Sequence, residues 1–261
     1  MISVYITSFN KQKYLSQAIE SVLSQSLQPS EIIIVDDASS DSSREIINGF
    51  KSRYPKIIKP IFNRKNLGIS ESRNIAISNC NNQIITFVDG DDYFLNKKLE
   101  TEYSTLLKNL SASFVYSNHV FVDEAGYEKG LFSSDNDHPA HGNIFKENFS
   151  RAFNVSSGTN FHNEMYYKSC AQDIGLYDQK IKIWEDWDFR IRTSKKYQYA
   201  YCQNVNSAYR IIDNGLHNSE PELHYREQIK IYKKNKHLIA SLSKEEKRYI
   251  YNRVYAKFKK L

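Results

Sequence analysis

Nine glycines are few for 261 residues, and neither GxGxxG nor GxxxxGKS/T is spelled out among them. Without such a loop to cradle a pyrophosphate, neither a Rossmann dinucleotide enzyme nor a P-loop nucleotidase is expected. Cysteine is almost as scarce. Cys80, Cys170 and Cys202 stand far apart with no CxxC pair, which suggests neither a disulfide framework nor a thiolate zinc site and points to a reducing cytosol. No apolar run approaches the ~20 residues that a membrane-spanning helix needs. Met1-Ile2-Ser3-Val4 is not a basic stretch followed by an apolar one, so a cleaved leader is not expected. Excess positive charge is also missing from most of the chain. The net charge is +6, but Glu222 to Leu261 holds twelve Lys or Arg against four Glu, so +8 falls on the tail and −2 on the first 221 residues. That distribution argues against a nucleic-acid partner.

What remains, 40% hydrophobic and 25% charged, is the composition of an ordinary globular protein. Ile2 to Thr7 is a β-branched and aromatic run, and Tyr14, Leu15, Ala18, Ile19, Val22 and Leu23 follow at helical spacing until Pro29. Glu31 to Val35 reads as a strand buried on both faces, and Ser42 with Glu45 as a capping box before Ile46, Ile47 and Phe50. Ile57 to Phe62, the amphipathic Ile69 to Ile77, and Ile84 to Val88 continue the alternation. Strands alternating with helices over the first ~95 residues predict a mostly parallel, Rossmann-like sheet flanked by helices. A further helix is expected near Asn96 to Leu110, strands around Phe114 to Val122, a mobile polar loop from Ser133 to Asn143, and a helix opening at Trp184-Glu185-Asp186-Trp187-Asp188.

Ligands of such a sheet collect at the carboxyl ends of its strands. Two of those ends are acidic: Asp36-Asp37, and Asp89-Gly90-Asp91-Asp92. Three carboxylates within four residues of a buried strand repel one another unless cations or donors balance them. Mg²⁺ or Mn²⁺, completed by substrate phosphates and water, is the natural partner, which implies a metal–diphosphate; a turn with an acidic helix start is the plainer alternative. Asp36-Asp37 could accept hydrogen bonds from a nucleobase or ribose, with the Phe9 ring for the base, or could serve only as a helix-capping loop.

Val4-Tyr5-Ile6-Thr7-Ser8-Phe9-Asn10, Val35-Asp36-Asp37-Ala38-Ser39-Ser40-Asp41, Asn66-Leu67-Gly68 with Ser72-Arg73-Asn74, Asp89-Gly90-Asp91-Asp92, and Glu185-Asp186-Trp187-Asp188 together resemble the family 2 glycosyltransferases of the GT-A fold, in order and spacing over about residues 1–215. The resemblance implies an inverting, metal-dependent hexosyltransferase-like enzyme using a nucleoside-diphosphate sugar, a UDP-sugar first, with a saccharide or lipid-linked saccharide as acceptor. It divides the chain into a donor-binding half (1–95), an acceptor-binding half (96–221) and a basic helical tail (222–261). Thr7, Phe9 and Asp37 match donor-base contacts, and Arg73 falls near the nucleotide unless it is only a surface helix charge. Asp91 matches a ribose or sugar contact, Asp92 the metal ligand with Asp89 in support, and Asp186 the catalytic base, which would otherwise only complement a helix N-terminus together with Glu185 and Asp188. Trp184 and Trp187 could stack on sugars or simply be buried. Tyr209-Arg210 and the loop after it resemble the family's closing loop, but Ile212 stands where many relatives have a metal-binding His, so His217 becomes the candidate, against an ordinary loop histidine.

Two other classes stay open. A haloacid-dehalogenase-like phosphatase also uses Asp-x-Asp after a strand, but prefers Thr or Val where this chain continues Asp92-Tyr93, and a non-catalytic carbohydrate-binding module would keep the fold without the base. The Lys, Asn and Tyr richness suggests an AT-rich bacterial genome, and the family analogy then suggests surface-polysaccharide assembly. In the tail, Ile229, Tyr232, Leu238, Ile239, Leu242, Ile250, Tyr251, Val254, Tyr255 and Phe258 predict two amphipathic helices split at Ser241-Leu242-Ser243, with Ser243 and Glu246 as a capping box. Their apolar face could pack on the catalytic domain or on a second subunit, while the +8 face could hold a cytoplasmic protein against the inner membrane surface.

Overall fold

The computed structural model describes all residues except 152–154, 158–159, 214–219 and 259–261, and only the backbone of 254–258. Ile2–Ser8 (β1) and Glu31–Asp36 (β2) are buried at every position, as strands covered on both faces must be. With Ile58–Phe62 (β3) and Ile84–Asp89 (β4) they form a parallel block in the order β3-β2-β1-β4. The register sets Thr7 beside Asp89 and Ser8 beside Asp36, so the acidic strand ends share one edge.

The connecting helices Leu15–Leu23 (α1), Ser43–Arg53 (α2) and Ile69–Asn79 (α3) cover the two faces. On one face Val4, Ile6, Ile32 and Ile34 pack against Leu15, Ile19 and Val22 of α1 and Ile47 and Phe50 of α2, joined by Leu99 and Leu106 of Lys98–Lys108 (α4). On the other, Tyr5, Ile33, Val35 and Phe87 meet Ala76 and Ile77 of α3. The predicted Ser42–Glu45 box does not form: Ser42 precedes α2 without a side-chain cap, and Asp41 Oδ1 takes the Ser43 N–H instead, at 3.0 Å.

Beyond β4 the sheet continues through the antiparallel strand Met165–Tyr167 (β8) to Ala112–Val122 (β6), its parallel neighbour Gln198–Arg210 (β9) and Tyr93–Phe94 (β5), with Glu128–Leu131 (β7) on the side of β6. Phe114 stacks on Tyr166 and Tyr199 with ring centroids 5.0 and 4.6 Å apart, so aromatic faces tie β8, β6 and β9 together. Phe145–Ser150 (α5), Lys168–Asp173 (α6) and Glu185–Lys196 (α7) pack beside this half. The polar stretch expected to be mobile is pinned: Gly142 exchanges hydrogen bonds of 2.6 and 2.9 Å with Tyr199, and Tyr116 donates to the Ala140 carbonyl. The cysteines are free and buried.

In the tail, Pro221–Asn235 (α8), a 3₁₀ turn at Lys236–Ile239 and Lys244–Phe258 (α9) match the two predicted helices. The second capping box forms as read: Glu246 N–H donates to Ser243 Oγ at 3.1 Å and Ser243 N–H to Glu246 Oε2 at 2.9 Å. Ile231 and Ile250, with Tyr232, Leu238, Ile239 and Leu242, pack against Phe145, Phe149, Trp187 and Ile191, so the apolar face lies on α5 and α7.

The ion pair of Lys98 and Glu102 is wholly enclosed. Lys98 Nζ on α4 donates to Glu102 Oε2 at 2.6 Å and to the Asn163 carbonyl at 2.8 Å, and Glu102 Oε1 accepts from Ser117 at 2.6 Å. Burial pushes the Lys98 ammonium down and the Glu102 carboxyl up, and their mutual attraction opposes both shifts. Breaking such a pair leaves a buried lone charge and costs about 3–5 kcal/mol, whereas replacing both partners by apolar groups is far milder. Urea unfolding should therefore show Lys98→Met losing about 3–5 kcal/mol and Lys98→Met/Glu102→Leu recovering most of it; equal losses in both would contradict this role.

Candidate active site

The four residues after β4 are held by the ends of β1 and β9. Gly90 N–H donates to the Thr7 carbonyl at 2.9 Å, and a Cβ at position 90 would sit 3.1 Å from that oxygen, so any other residue would push the loop away from β1 by a few tenths of an ångström. Thr7 Oγ1 donates to Asp89 Oδ1 at 2.9 Å. Asp91 accepts from Lys11 Nζ, and Asp92 Oδ1 accepts from the Arg210 N–H at 2.7 Å. Arg210 clamps the loop further, with Nε on the Asp91 carbonyl at 2.9 Å and Nη2 on Gln17 at 2.6 Å. Burial, and then the charges of Asp91 and Asp89, drive the Asp92 carboxyl well above the usual range. Added positive charge would relieve that strain.

The loops after β1 and β2 are laced together. Asn10 (φ 54°) and Ala38 (φ 62°) both turn in left-handed conformations, and Asn10 N–H donates to Ser39 Oγ at 2.9 Å while Ser40 N–H donates to Asn10 Oδ1 at 2.8 Å. Phe9 is left 44% exposed at this mouth. Asp37 is buried and accepts from Asn63 Nδ2, Leu67 N–H and Gly68 N–H, each at 2.8 Å, so it shapes the Asn66-Leu67-Gly68 loop; a carboxylate has room for about four donors and Asp37 retains capacity for one.

Arg73 is no surface charge. It is 4% exposed, with Nη2 on both oxygens of Asp89 at 3.1 and 2.9 Å and Nη1 on Glu185 Oε1 at 2.7 Å, and it stacks over Phe87. One guanidinium thus joins the acidic loop to the start of α7. There the three acids diverge. Glu185 goes to Arg73; burial pushes its carboxyl up, against the pull of Arg73, to about 7. Asp188 turns to the tail, accepting from Asn235 at 2.8 Å, Lys234 at 3.0 Å and Arg192 at 2.9 Å, so it is a structural anchor. Asp186 accepts from its neighbour Trp187 N–H at 2.8 Å and from Arg190 Nη1 at 2.7 Å, with its side chain 17% exposed. Burial tends to raise the Asp186 carboxyl, but Arg190, His162 and Arg73 outweigh it and hold it below the usual range.

Trp187 is 4% exposed with Nε1 on the Asn148 carbonyl, and Trp184 lies under Arg151 with Nε1 on His224, so neither indole offers a clear face to a sugar. The aromatic surface beside Asp186 is instead His162 stacked on Tyr209, with centroids 4.4 Å apart and His119 edge-on behind. Burial and Arg190 push His162 down to about 4, so it is neutral near pH 7. Lys11, His162 and Glu164 carry no local sequence signal; Arg190, four residues after Asp186, is the one such group that helical spacing could have flagged. His217 lies outside the described residues.

Among the described residues no three His, Cys, Asp or Glu side chains converge as a metal cage. Asp91 and Asp92 nevertheless fit a divalent ion that takes one or two carboxylates and finds its other ligands on a substrate, because each has an oxygen outside its Lys11 or Arg210 contact.

Comparison with known proteins agrees with this arrangement. The sequence signature of Glycosyl transferase family 2 matches residues 3–175. An uncharacterized glycosyltransferase of Haemophilus influenzae is 37% identical over 134 residues, covering 51% of this chain and 53% of its own length. The minor teichoic acid biosynthesis protein GgaA of Bacillus subtilis is 32% identical over 197 residues, 71% of this chain and 41% of that protein. The chain therefore spans about half or less of these two relatives. In fold, S. aureus TarS 1-349 in complex with UDP-GlcNAc superposes with a TM-score of 0.73 at 18% identity, over 99% of this chain and 72% of that one. The folded chain, from the β1 strand through the Asp89 loop to α6, belongs to glycosyl transferase family 2.

Proposed function

We propose that the protein is an inverting glycosyltransferase that moves a sugar from a nucleoside-diphosphate sugar to an acceptor hydroxyl. The observation that carries this reading is the Arg73 bridge, which sets the Asp89–Asp92 loop and the Asp186 helix on opposite sides of one guanidinium. Thr7, Phe9 and Asp37 lie where a base and ribose would enter, and UDP is the first choice because the TarS structure contains UDP-GlcNAc. Asp91 would meet the ribose or sugar, and Asp92 would hold Mn²⁺ or Mg²⁺, which when bound supplies charge to offset the diphosphate as it leaves.

Asp186 acts on the other side. An ionised carboxylate, fixed at both oxygens yet open to the cleft, can take the proton of an acceptor hydroxyl as its oxygen attacks the anomeric carbon from the face opposite the departing diphosphate. A single displacement of this kind inverts the anomeric centre. The teichoic-acid protein from Bacillus subtilis, and the chondroitin synthase of Escherichia coli at 27% identity over 200 residues, support a surface-polysaccharide acceptor. A haloacid-dehalogenase-like phosphatase is disfavoured because Asp89, its would-be nucleophile, is engaged by Arg73 and Thr7.

With UDP-GlcNAc and Mn²⁺, Asp186→Asn should retain donor binding while UDP release falls at least about 100-fold. Asp92→Ala should lose both turnover and the Mn²⁺-dependent tightening of UDP, seen by calorimetry, with an unchanged circular dichroism spectrum. Full activity in either variant would remove that residue from its role.

The tail adds a peripheral contact with an anionic membrane to the proposal. Its apolar face is already covered by α5 and α7, so that contact is electrostatic, through the exposed Arg226, Lys233, Lys236, Lys244 and Arg248, each contributing about 1 kcal/mol near anionic lipid. Deleting the tail would uncover Trp187 and Ile191, so charge reversal is the cleaner test. Co-sedimentation with phosphatidylglycerol vesicles should fall with salt and vanish in Lys233→Glu/Lys236→Glu/Arg248→Glu; no binding by the parent at low salt would refute the contact.

A further inference from the structure

We propose that Arg190 and Glu164 are the positioning residues of the base: Arg190 holds the Asp186 carboxylate in one orientation and ionised, and Glu164 fixes the Arg190 fork so that its remaining edge meets Asp186. The inference rests on the transferase reading above, and deepens it.

Arg190 is among the largest fully buried side chains of the protein at 1% exposure, and Glu164 is 0% exposed. Nε and Nη2 of Arg190 grip the two oxygens of Glu164 at 3.1 and 2.9 Å, and Nη1 donates to Asp186 Oδ2 at 2.7 Å. The guanidinium lies over Phe161, 4.5 Å from its centroid. A bidentate pair of this kind fixes the plane of the guanidinium, which a lysine cannot do. Glu164 immediately precedes β8, the antiparallel strand between β4 and β6, so the base on α7 is referenced through Arg190 to the middle of the sheet. Arg190 sits one helical turn after Asp186, and Trp187 N–H takes the other Asp186 oxygen, which leaves the base one orientation.

Other charged groups face Asp186 too. Arg73 approaches from α3, Arg151 from the end of α5, His162 from the segment before β8, and Glu185 from α7 itself. Arg73 is committed to Asp89 and Glu185, His162 is neutral near pH 7, and Glu185 is acidic. Among the described residues Arg190 is the one cation hydrogen-bonded to the base. An arginine does not release its proton in a protein, so its charge favours the ionised base across the pH range of an assay. Glu164 offsets the second half of the guanidinium's requirements, so that the charge is held without being left bare in the interior.

Carbon-13 NMR of protein labelled at the aspartate carboxyl reads the base directly, with Asp186→Asn assigning its signal. In the wild type Asp186 should stay ionised below the ordinary aspartate range, and in Arg190→Gln its titration should rise by about 1–3 pH units, since an opposite charge at this range lowers a carboxyl by that much. Because Arg190→Gln strands Glu164, Glu164→Gln/Arg190→Gln guards against misfolding and should show the same rise. Glu164→Gln alone, which loosens the Arg190 fork, should raise Asp186 part of the way toward its Arg190→Gln value, and an Asp186 that titrates there where it does in the wild type or lower would contradict the role given to Glu164. An Asp186 that titrates in Arg190→Gln and in the double variant where it does in the wild type would overturn the proposal. The acidic limb of UDP release from UDP-GlcNAc to water should move with the NMR titration. A clear NMR shift with no UDP release by any form, wild type included, would refute the transferase reading and leave this assignment standing.

Discussion

A site that gathers carboxylates in a partly dry cleft holds together only if each finds a cation or a set of donors, and here two buried arginines meet most of that requirement. Arg73 joins Asp89 to Glu185, and Arg190 joins Asp186 to Glu164. Unpaired, any of these charges would be strongly disfavoured in the interior. Paired, they fix the β4 side and the α7 side of the cleft relative to each other, because the partners of Arg73 come from β4 and α7 and those of Arg190 from α7 and the residue before β8. Lys11 on Asp91 and the Arg210 backbone on Asp92 serve the remaining acids of the loop.

The sheet makes this possible by delivering its parts in register. The parallel block ends in Thr7, Asp36 and Asp89 on one edge, and the β6–β9 pair runs parallel, so that β9 finishes with Tyr209 and Arg210 against the same loop. The tail completes α7 from behind: Asp188, sharing a helix with Asp186, is anchored by Lys234 and Asn235 of α8. Anything that loosens α8 is therefore felt on the helix that carries Asp186.

The first half was legible in the sequence because β1, β2 and β4 are buried on both faces and α1 and α2 are amphipathic, so these elements announce themselves within a few residues. The acidic ends followed from the rule that ligands gather at strand termini. The second half was harder to read for physical reasons. β8 is three residues long, and β6 and β9 pair across more than eighty residues of chain with register shifts at Ser117, Asn118 and His119 that break any clean alternation. Arg73 was read as lying near the nucleotide, but its bridge was not legible, because a single sequence does not show that Asp89 and Glu185 converge on it. Glu164 had no neighbour to give it meaning until β8 was placed. The mobility expected of residues 133–143 failed because their polarity is satisfied by bonds to Tyr199 and Tyr116 that lie far away in sequence.

The central claim is a single displacement with Asp186 as base and a nucleoside diphosphate as leaving group. Its most direct test is proton NMR of the first sugar released when the protein, with Mn²⁺, turns over UDP-α-GlcNAc in water, recorded before the anomers equilibrate. The account predicts that β-GlcNAc appears first and that UDP accompanies it in equal amount. Early α-GlcNAc, or release of inorganic phosphate in place of UDP, would contradict it.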